Sequence, residues 1–231
     1  VGDVIGPALS NAPALTVNTF DHTLFLNLNG RFEAHALPTE AMLSPSFYVG
    51  VADFNGDGNE DIFLTQNFYA VEPEMPRYAS GRGLWLAGDG NGGLSPVSGM
   101  RSGIAVYGDQ RGAALADFDK DGRVDLAVSQ NGNSTKLFRN ARAEPGLRVR
   151  LVGPPGNPDA IGATIRLMYG EEMGPAREVH GGSGYWSFDG PVQVMGKSGT
   201  PTEVWVRWPG GEESSAPVPQ ESTEIVIRRP G

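Results

Sequence analysis

Cysteine is absent from this sequence, and histidine is scarce at 3 residues. Without cysteine the chain forms no disulfide bond, which counts against a disulfide-linked kind of calcium repeat. Long apolar runs are also missing, so no segment is long enough to span a bilayer as a helix, and no signal peptide is recognisable. The chain begins at Val1 rather than at Met, which predicts a processed or trimmed chain.

Patterns typical of helices longer than two turns are lacking as well. Short apolar runs are separated by many of the 33 Gly and 18 Pro residues, which predicts frequent turns and an all-β fold. With 231 residues, of which 39% are hydrophobic, the chain is long enough for a real core and for two domains. An excess of positive charge is missing too: the net charge of −9 disfavours nucleic acid and anionic membrane surfaces as partners.

Two acidic nonapeptides stand out, and we call them loop one (residues 53–61) and loop two (residues 117–125). Calcium takes about six to eight oxygen ligands. Oxygen-bearing side chains fall at positions 1, 3, 5 and 9 of each loop, and glycine at position 6 permits a sharp turn. We therefore predict two Ca²⁺ sites, in which position 7 contributes its backbone carbonyl. The predicted ligands are Asp53, Asn55, Asp57, Asn59 (carbonyl) and Asp61 in loop one, and Asp117, Asp119, Asp121, Arg123 (carbonyl) and Asp125 in loop two.

The flanks of both loops argue against an EF-hand. That motif carries a bidentate Glu at position 12 and a helix on each side, whereas position 12 here is Leu64 in loop one and Val128 in loop two. The flanking residues alternate with a period of two, so each loop is predicted to be the turn of a β-hairpin. A polar turn without a metal is the alternative, because Asp, Asn and Gly dominate turns in general. Two copies with the same ligand positions favour the metal.

A second kind of hairpin alternates with the loops. Residues 23–32 predict a strand, an Asn-Gly turn and a strand, residues 83–90 repeat the pattern, and residues 136–140 repeat it in part. Asp53 and Asp117 are 64 residues apart, and a repeat of that length with four strands is typical of one propeller blade. We predict an incomplete β-propeller of about 2.5 repeats over residues 21–142, after an extended lead-in over residues 1–20.

So few repeats cannot close a ring, and an open propeller exposes sheet edges and an apolar blade face. Three arrangements would cover them: a longer propeller of which this chain is a fragment, blades supplied by another chain, or packing of the blades against the C-terminal domain. The insertion at residues 70–82 is longer than a blade turn requires. Long loops on rigid scaffolds often bind partners, although an idle surface loop is the plainer interpretation.

Residues 146–231 follow a different pattern. Alternation at residues 147–152 and 162–167, with further short strands near 176–180, 192–195, 203–208 and 223–228, predicts a small β-sandwich or barrel-like domain. The glycine-rich segment from His180 to Trp186 has two interpretations. Tyr185 and Trp186 could form a platform that stacks on a sugar or peptide ring, with His180 beside them. Alternatively, the segment is a bulge and tight turn with both aromatic rings in the core.

Several of these motifs resemble known families. The segments VADFNGDGNEDIFL and LADFDKDGRVDLAV resemble the FG-GAP/VCBS-type repeats of integrin-like β-propellers. The segments GNPDAIGATIRL, REVHGGSGYWSFD and VWVRWPGG resemble the ASPIC/UnbV domain, which follows such repeats in cartilage-acidic-protein-like proteins. One departure is Met195-Gly196-Lys197, where the family usually shows a Gly-Leu-Gly-like turn. The resemblance implies an extracellular, calcium-associated protein with matrix or surface interactions and no agreed reaction.

A catalytic set is not recognisable. A nucleophile, histidine and acid would have to be built around His22, His35 or His180, and Ser183 near His180 lacks the strand-to-helix turn of a nucleophile elbow. We predict a non-enzymatic calcium-binding protein, extracellular or at the cell surface, that acts as an adhesion or matrix interaction module with a protein or glycan partner. The alternatives are a self-assembling structural protein whose blade edges pair between subunits, and an accessory domain of a carbohydrate-active enzyme.

Overall fold

The computed structural model describes residue 6, residue 13 and residues 15–230. Residues 1–5, 7–12 and 14 of the predicted lead-in lie outside the described residues. The described part contains 17 strands and two single-turn helices, so the prediction of an all-β fold is confirmed. None of its helices is long and apolar enough to cross a membrane. The chain divides into two compact units, residues 1–37 and residues 38–231.

The first unit contains one β-hairpin, formed by β1 (Thr23–Leu28) and β2 (Arg31–Ala36). The strands pair antiparallel up to Leu28 and Arg31, so only Asn29 and Gly30 form the turn. Both turn residues have positive φ, 54° and 83°, which matches the right-handed twist of the strands and is the geometry that Asn-Gly favours. The hairpin predicted from residues 23–32 is therefore confirmed.

The second unit begins with helix α1 (Thr39–Met42) and a four-stranded antiparallel sheet that we call the first meander. Its strands lie side by side in chain order. They are β3 (Val49–Ala52), β4 (Asp61–Leu64), β5 (Leu84–Gly88) and β6 (Leu94–Val97). Ala52 pairs with Asp61, so loop one is the turn between β3 and β4 as predicted.

Helix α2 (Gly99–Ser102) leads to the second meander, a three-stranded antiparallel sheet. Its strands are β7 (Asp109–Ala116), β8 (Asp125–Asn131) and β9 (Asn133–Phe138). Ala116 pairs with Asp125, so loop two is again the turn of the first hairpin. The two meanders share a core that contains the buried side chains of Tyr48, Phe63, Leu115, Leu126 and Val128. The described strands have blade-like order in each meander but do not close into a ring.

The C-terminal residues form two further sheets. One contains β10 (Leu147–Val152), β14 (Gln193–Met195) and β17 (Glu224–Arg228), and β10 and β17 are parallel. The other contains β11 (Thr164–Tyr169), β12 (Glu172–Met173), β13 (Arg177–Glu178), β15 (Glu203–Arg207) and β16 (Glu213–Pro217). Buried side chains of both sheets, including Leu147, Val149, Ile165, Val206 and Trp208, form one core. This is a sandwich-like arrangement, and none of the described sheets closes into a barrel.

The C-terminal residues also pack against both meanders, through residues 183–190. Tyr48 at the start of the first meander forms an isolated bridge with Gly184. Asp189 Oδ1 accepts hydrogen bonds from Tyr48 Oη (2.7 Å) and from the backbone N–H of Leu115 on β7 (2.8 Å). One carboxylate therefore connects the first meander, the second meander and the C-terminal residues, which corresponds to the third of the three arrangements considered above.

Candidate metal centre

The two loops have the same backbone shape. Positions 4 and 6 have positive φ in both: 80° and 88° at Gly56 and Gly58, and 63° and 81° at Lys120 and Gly122. Glycine at position 6 of both loops predicts a left-handed backbone there, and the structure has one. The left-handed backbone at position 4 is not predictable from the sequence, because loop two has Lys120 at that position. The matching dihedral angles show that the repeated sequence motif folds into a repeated turn.

In each loop, side-chain oxygens accept hydrogen bonds from nearby backbone N–H groups. Position 1 accepts from positions 5 and 6, position 3 from position 5, position 5 from position 7, and position 9 from position 2. In loop one the side chain of Asp53 accepts from the N–H groups of Asp57 (3.2 Å) and Gly58 (2.7 Å). Asn55 accepts from Asp57 (3.0 Å), Asp57 accepts from Asn59 (2.8 Å), and Asp61 accepts from Phe54 (2.9 Å). The chain is thus wrapped around its own acidic side chains.

Loop two repeats every one of these hydrogen bonds. The side chain of Asp117 accepts from the N–H groups of Asp121 (3.0 Å) and Gly122 (2.9 Å). Asp119 accepts from Asp121 (3.3 Å), Asp121 accepts from Arg123 (3.0 Å), and Asp125 accepts from Phe118 (3.1 Å). The second oxygen of position 9 also has the same role in both loops. Asp61 accepts from the N–H of Gly88 (2.8 Å), and Asp125 accepts from the N–H of Asn140 (2.7 Å), so each tethers a more distant part of its own blade-like segment.

The side chains of loop two converge. Carboxylate oxygens of Asp117, Asp119 and Asp125 all lie within 4.8 Å of one another, which makes this the acidic cluster with metal-ligand spacing in the described part of the chain. Each carboxylate that accepts one or two N–H groups still has lone pairs for a cation. All the atoms that could coordinate a metal in this loop are oxygens, which suits a hard cation such as calcium rather than a metal that prefers nitrogen or sulfur. The residues present therefore fit the predicted ion.

Positive charge surrounds loop two but not loop one. Arg148 donates to Asp117, Arg139 pairs with Asp119 (2.5 Å) and Asp121 (3.2 Å), and Arg123 pairs with Asp121 (3.0 Å). In loop one, Asp53, Asp57 and Asp61 have no Lys or Arg partner among the described residues. The nearest equivalent is Arg177, which pairs with Glu60 at position 8 instead. Loop one therefore carries more uncompensated negative charge than loop two.

The carboxyl groups of the loops have shifted pKa values. Burial raises the pKa of Asp61 to about 6, against the lowering effect of the N–H groups of Gly88 and Phe54. Burial also raises the pKa of Asp53 and of Asp125. For Asp121, burial acts in the same direction, but the hydrogen bonds from Arg123 and Arg139 outweigh it and the pKa is lowered. Water exclusion thus makes three of these carboxylates costly to keep ionised without a cation beside them.

Both loops pack tightly against residues 144–148, and loop one also packs against Ser198. A Cβ atom on Gly56 would lie 2.5 Å from the backbone of Glu144, and one on Gly58 would lie 2.8 Å from the backbone of Ser198. Arg148 on β10 is buried against Asp117. The contacts of Arg139 and Arg148 with loop two are absent from the sequence-based prediction, because nothing in the local pattern relates these arginines to the loop. Their positions depend on how the chain folds back.

The structure separates the three residues predicted as a ligand platform. Tyr185 and Trp186 are exposed (46% and 87%) and their rings stack at 5.4 Å with an interplanar angle of 7°, so the alternative with both rings in the core is wrong. Trp186 has φ of 50°, a conformation that costs a non-glycine residue about 1–2 kcal/mol. His180 instead pairs with Glu178 (3.8 Å) and lines another cavity, of about 270 Å³, to which neither ring contributes.

The stacked pair is one end of a row of aromatic rings. Tyr185 contacts Phe47 (5.5 Å between centroids), and Phe47 contacts Phe68 (5.8 Å). The guanidinium of Arg111 lies over both phenylalanine rings, at 4.4 Å and 5.0 Å. The insertion at residues 70–82 lies close by in sequence, and a bridge between Phe68 and Tyr78 closes its base. The exposed rings of Tyr185 and Trp186 therefore belong to a packed cluster with Phe47, Phe68 and Arg111.

Comparison with known proteins gives two findings. Residues 153–230 match the family described as ASPIC and UnbV. The chain is also similar to cartilage acidic protein 1: it is 27% identical over 217 residues to the mouse protein (89% of this chain, 32% of the relative), 28% identical over 217 residues to the human protein (89% and 32%), and 27% identical over 202 residues to the Xenopus tropicalis protein (83% and 30%).

This chain spans about a third of the length of the curated relatives it matches. The match to residues 153–230 confirms the expected resemblance of the C-terminal domain, whereas the FG-GAP/VCBS-type repeats stay a prediction. The C-terminal domain of this chain is therefore similar to ASPIC and UnbV domains, and most of the chain is similar to a part of cartilage acidic protein 1.

Proposed function

We propose that this chain is a non-enzymatic, calcium-stabilised interaction module of the extracellular matrix or cell surface. The observation that carries the proposal is the set of five hydrogen bonds that loops one and two share, together with the three converging carboxylates of loop two. The curated relatives are named for cartilage and for acidic character, and this chain is acidic as well, with a net charge of −9. Millimolar calcium outside cells would load sites with Kd values of about 10⁻⁴–10⁻³ M.

In this proposal the FG-GAP/VCBS-type loops hold Ca²⁺ through the ten predicted ligands, and the ion has a structural role. It offsets the charge of buried carboxylates such as Asp53 and Asp61, which lack a cationic partner among the described residues. Because loop one packs on Glu144 and Ser198, and loop two on Pro145 and Gly146, a bound ion would stabilise the contact between each meander and the residues that follow it. Binding of a partner would take place elsewhere on the surface.

The pH dependence of stability tests the role of the ion at Asp61. Its folded-state pKa of about 6 lies above the ordinary value of about 3.9, so ionised Asp61 destabilises the metal-free protein, and this cost disappears as pH falls from 7 through 6 towards 4. Protonation also removes a calcium ligand. We expect the difference in melting temperature between calcium and chelator to shrink steadily between pH 7 and pH 5, measured by calorimetry. A difference that is constant over this range would contradict the assignment of Asp61.

For partner recognition we propose the stacked rings of Tyr185 and Trp186, which would bind the face of a sugar or peptide ring. A large ring exposed on a strained backbone is a frequent sign of a functional surface. The variant Trp186→Ala should lose binding on a glycan or matrix-protein array by at least about 10-fold, in line with the cost of removing an aromatic anchor. Trp205→Ala lies on β15 away from this segment and serves as the control. Equal binding by Trp186→Ala and the parent chain would contradict a binding role for these two rings.

A self-assembling structural protein is the second candidate, and the hairpin of the first unit favours it. Phe25 and Phe32 are exposed there, at 61% and 70%, and an isolated two-stranded hairpin is at best marginally stable. In this case purified protein would form large particles, and light scattering would detect them. Particles that dissociate on replacement of both phenylalanines by Ser would support assembly through the hairpin, whereas a monodisperse chain would favour the interaction module.

A further inference from the structure

A groove of about 420 Å³ lies between the two meanders, apart from the stacked rings of Tyr185 and Trp186. We call it the inter-meander groove. Its walls come from both sheets: Phe63 and Trp85 from β4 and β5, and Leu126 and Phe138 from β8 and β9, while α2 forms one end. Volumes of about 300–1,000 Å³ and largely apolar walls are typical of sites for small molecules.

The charge around this groove is opposite to that of the whole protein. Arg101, Arg139 and Arg142 line it, while none of the acidic residues in the described part of the chain does. Arg101 and Arg142 are exposed, and within residues 15–230 their guanidinium groups have neither an ion pair nor a hydrogen bond. In a chain with 27 acidic and 18 basic residues, the unpaired guanidinium groups of Arg101 and Arg142 beside this apolar cavity favour a negatively charged ligand.

The walls of the groove are held in place by contacts that do not depend on a ligand. The rings of Phe54 and Trp85 meet edge to face, with centroids 6.2 Å apart. Asn140 spans the two loops: its side-chain Nδ2 donates to the carbonyl of Phe54 (2.9 Å) and its backbone N–H donates to Asp125 (2.7 Å). A preformed wall lowers the entropy that a ligand loses on binding, because fewer side chains have to be ordered.

We propose that the inter-meander groove binds a small organic anion, namely a molecule with an apolar ring or chain that carries a carboxylate. The apolar body lies against Phe63, Trp85 and Phe138, and the carboxylate lies at the rim, where Arg101 and Arg142 provide bidentate donors. Arg139 adds positive charge but is already paired with Asp119 and Asp121, so it contributes less. This site is separate from the stacked rings of Tyr185 and Trp186. It adjoins both loops, because Asn55 lines it and Arg139 pairs with Asp119 and Asp121.

The test uses the full chain, labelled with ¹⁵N, and three probes of similar size that share a naphthalene ring: 2-naphthoate, 2-naphthylmethanol and 2-naphthylmethylammonium. The chain has 4 Trp residues, so indole N–H signals separate the groove from other sites. We expect 2-naphthoate to shift the Trp85 signal, assigned with Trp85→Phe, and to bind about 10-fold more tightly than the cationic probe. Equal affinity for the three probes, or a shift at Trp186 alone, would overturn the proposal.

Variants at the rim sharpen the test. Arg142→Gln should weaken 2-naphthoate binding by about 3- to 10-fold and leave the neutral probe unchanged, since it removes charge without removing a contact of the fold. Arg150→Gln is the matched control, because Arg150 is exposed on β10 and does not line the groove. Ala141→Phe, at an exposed lining position, should block all three probes. Binding that survives Ala141→Phe, or that Arg150→Gln weakens as much as Arg142→Gln does, would contradict the assignment.

Discussion

Adding a chelator to the calcium-loaded chain should lower its melting temperature by about 10–20 °C, the largest effect that we expect from any single change. For a Kd of about 10⁻⁴ M, each site contributes about 2.7 kcal/mol at 10 mM calcium, and two sites contribute about twice that amount. A domain of this size changes its melting temperature by about 2–4 °C per kcal/mol. Calorimetry with and without chelator measures the shift directly.

The variant Asp57→Asn separates the metal from the turn. Its side chain keeps an oxygen for the N–H of Asn59 but loses a negative charge that attracts the cation. The calcium-dependent shift should then fall by about half, because one of two sites is lost. The matched control is Asp89→Asn, since Asp89 accepts N–H groups from Asn91 (2.8 Å) and Gly93 (2.9 Å) in a similar turn outside both loops. If the two variants respond alike to calcium, loop one is only a polar turn.

Truncating Asp189 should have the second largest effect on stability. Its Oδ1 accepts from Tyr48 Oη and from the N–H of Leu115, and Asp189→Ala removes both bonds and leaves a wholly buried hydroxyl without an acceptor. Hydrogen bonds to a charged acceptor contribute about 1.5–3 kcal/mol each, so we expect a loss of about 3–4 kcal/mol in urea-induced unfolding. Burial, with Asp189 close by, also raises the pKa of Tyr48, so its hydroxyl remains a donor throughout the neutral pH range.

Two companion variants identify the cause of this loss. Tyr48→Phe combined with Asp189→Ala should cost less than the sum of the single changes, because the double variant leaves no unpaired hydroxyl behind. Glu171→Ala, at an exposed position, should leave the free energy of unfolding within about 0.5 kcal/mol of the parent value. Strict additivity of the double variant would show that Asp189 stabilises the fold by some route other than Tyr48.

Local features of the fold were predictable because their causes are local. Asn29 and Gly30 produce a two-residue hairpin turn through their own backbone preferences. The two loops repeat the same hydrogen bonds because residues two to seven positions apart in each loop bond to one another. The strands at 147–152 and 203–207 follow from alternation of apolar residues. By contrast, β16 (Glu213–Pro217) has little apolar alternation, and only its pairing with β15 makes it a strand.

Features that depend on distant contacts were beyond the sequence pattern. Large and small residues alternate in β3, and this pattern predicts that the valines face the core. In the structure Val49 and Val51 are exposed, and the small Gly50 and Ala52 are buried. A Cβ atom on Gly50 would lie 2.6 Å from Tyr48 Oη and 2.9 Å from Leu115, so close packing of the two meanders decides which face is inside. Similarly, the sequence allows the rings of Tyr185 and Trp186 to be either exposed or in the core, and only the tertiary structure shows that both are exposed.

By itself the sequence determined the all-β class, the two acidic turns with their order of oxygen-bearing side chains, and the kind of domain at the C-terminal end. These properties come from short-range backbone preferences and from a repeated motif. The tertiary structure alone decided that the acidic loops pack on the C-terminal residues, that arginines compensate loop two but not loop one, and that an arginine-lined groove lies between the meanders. Each of these depends on side chains that are tens of residues apart, and only the packing of sheets brings them together.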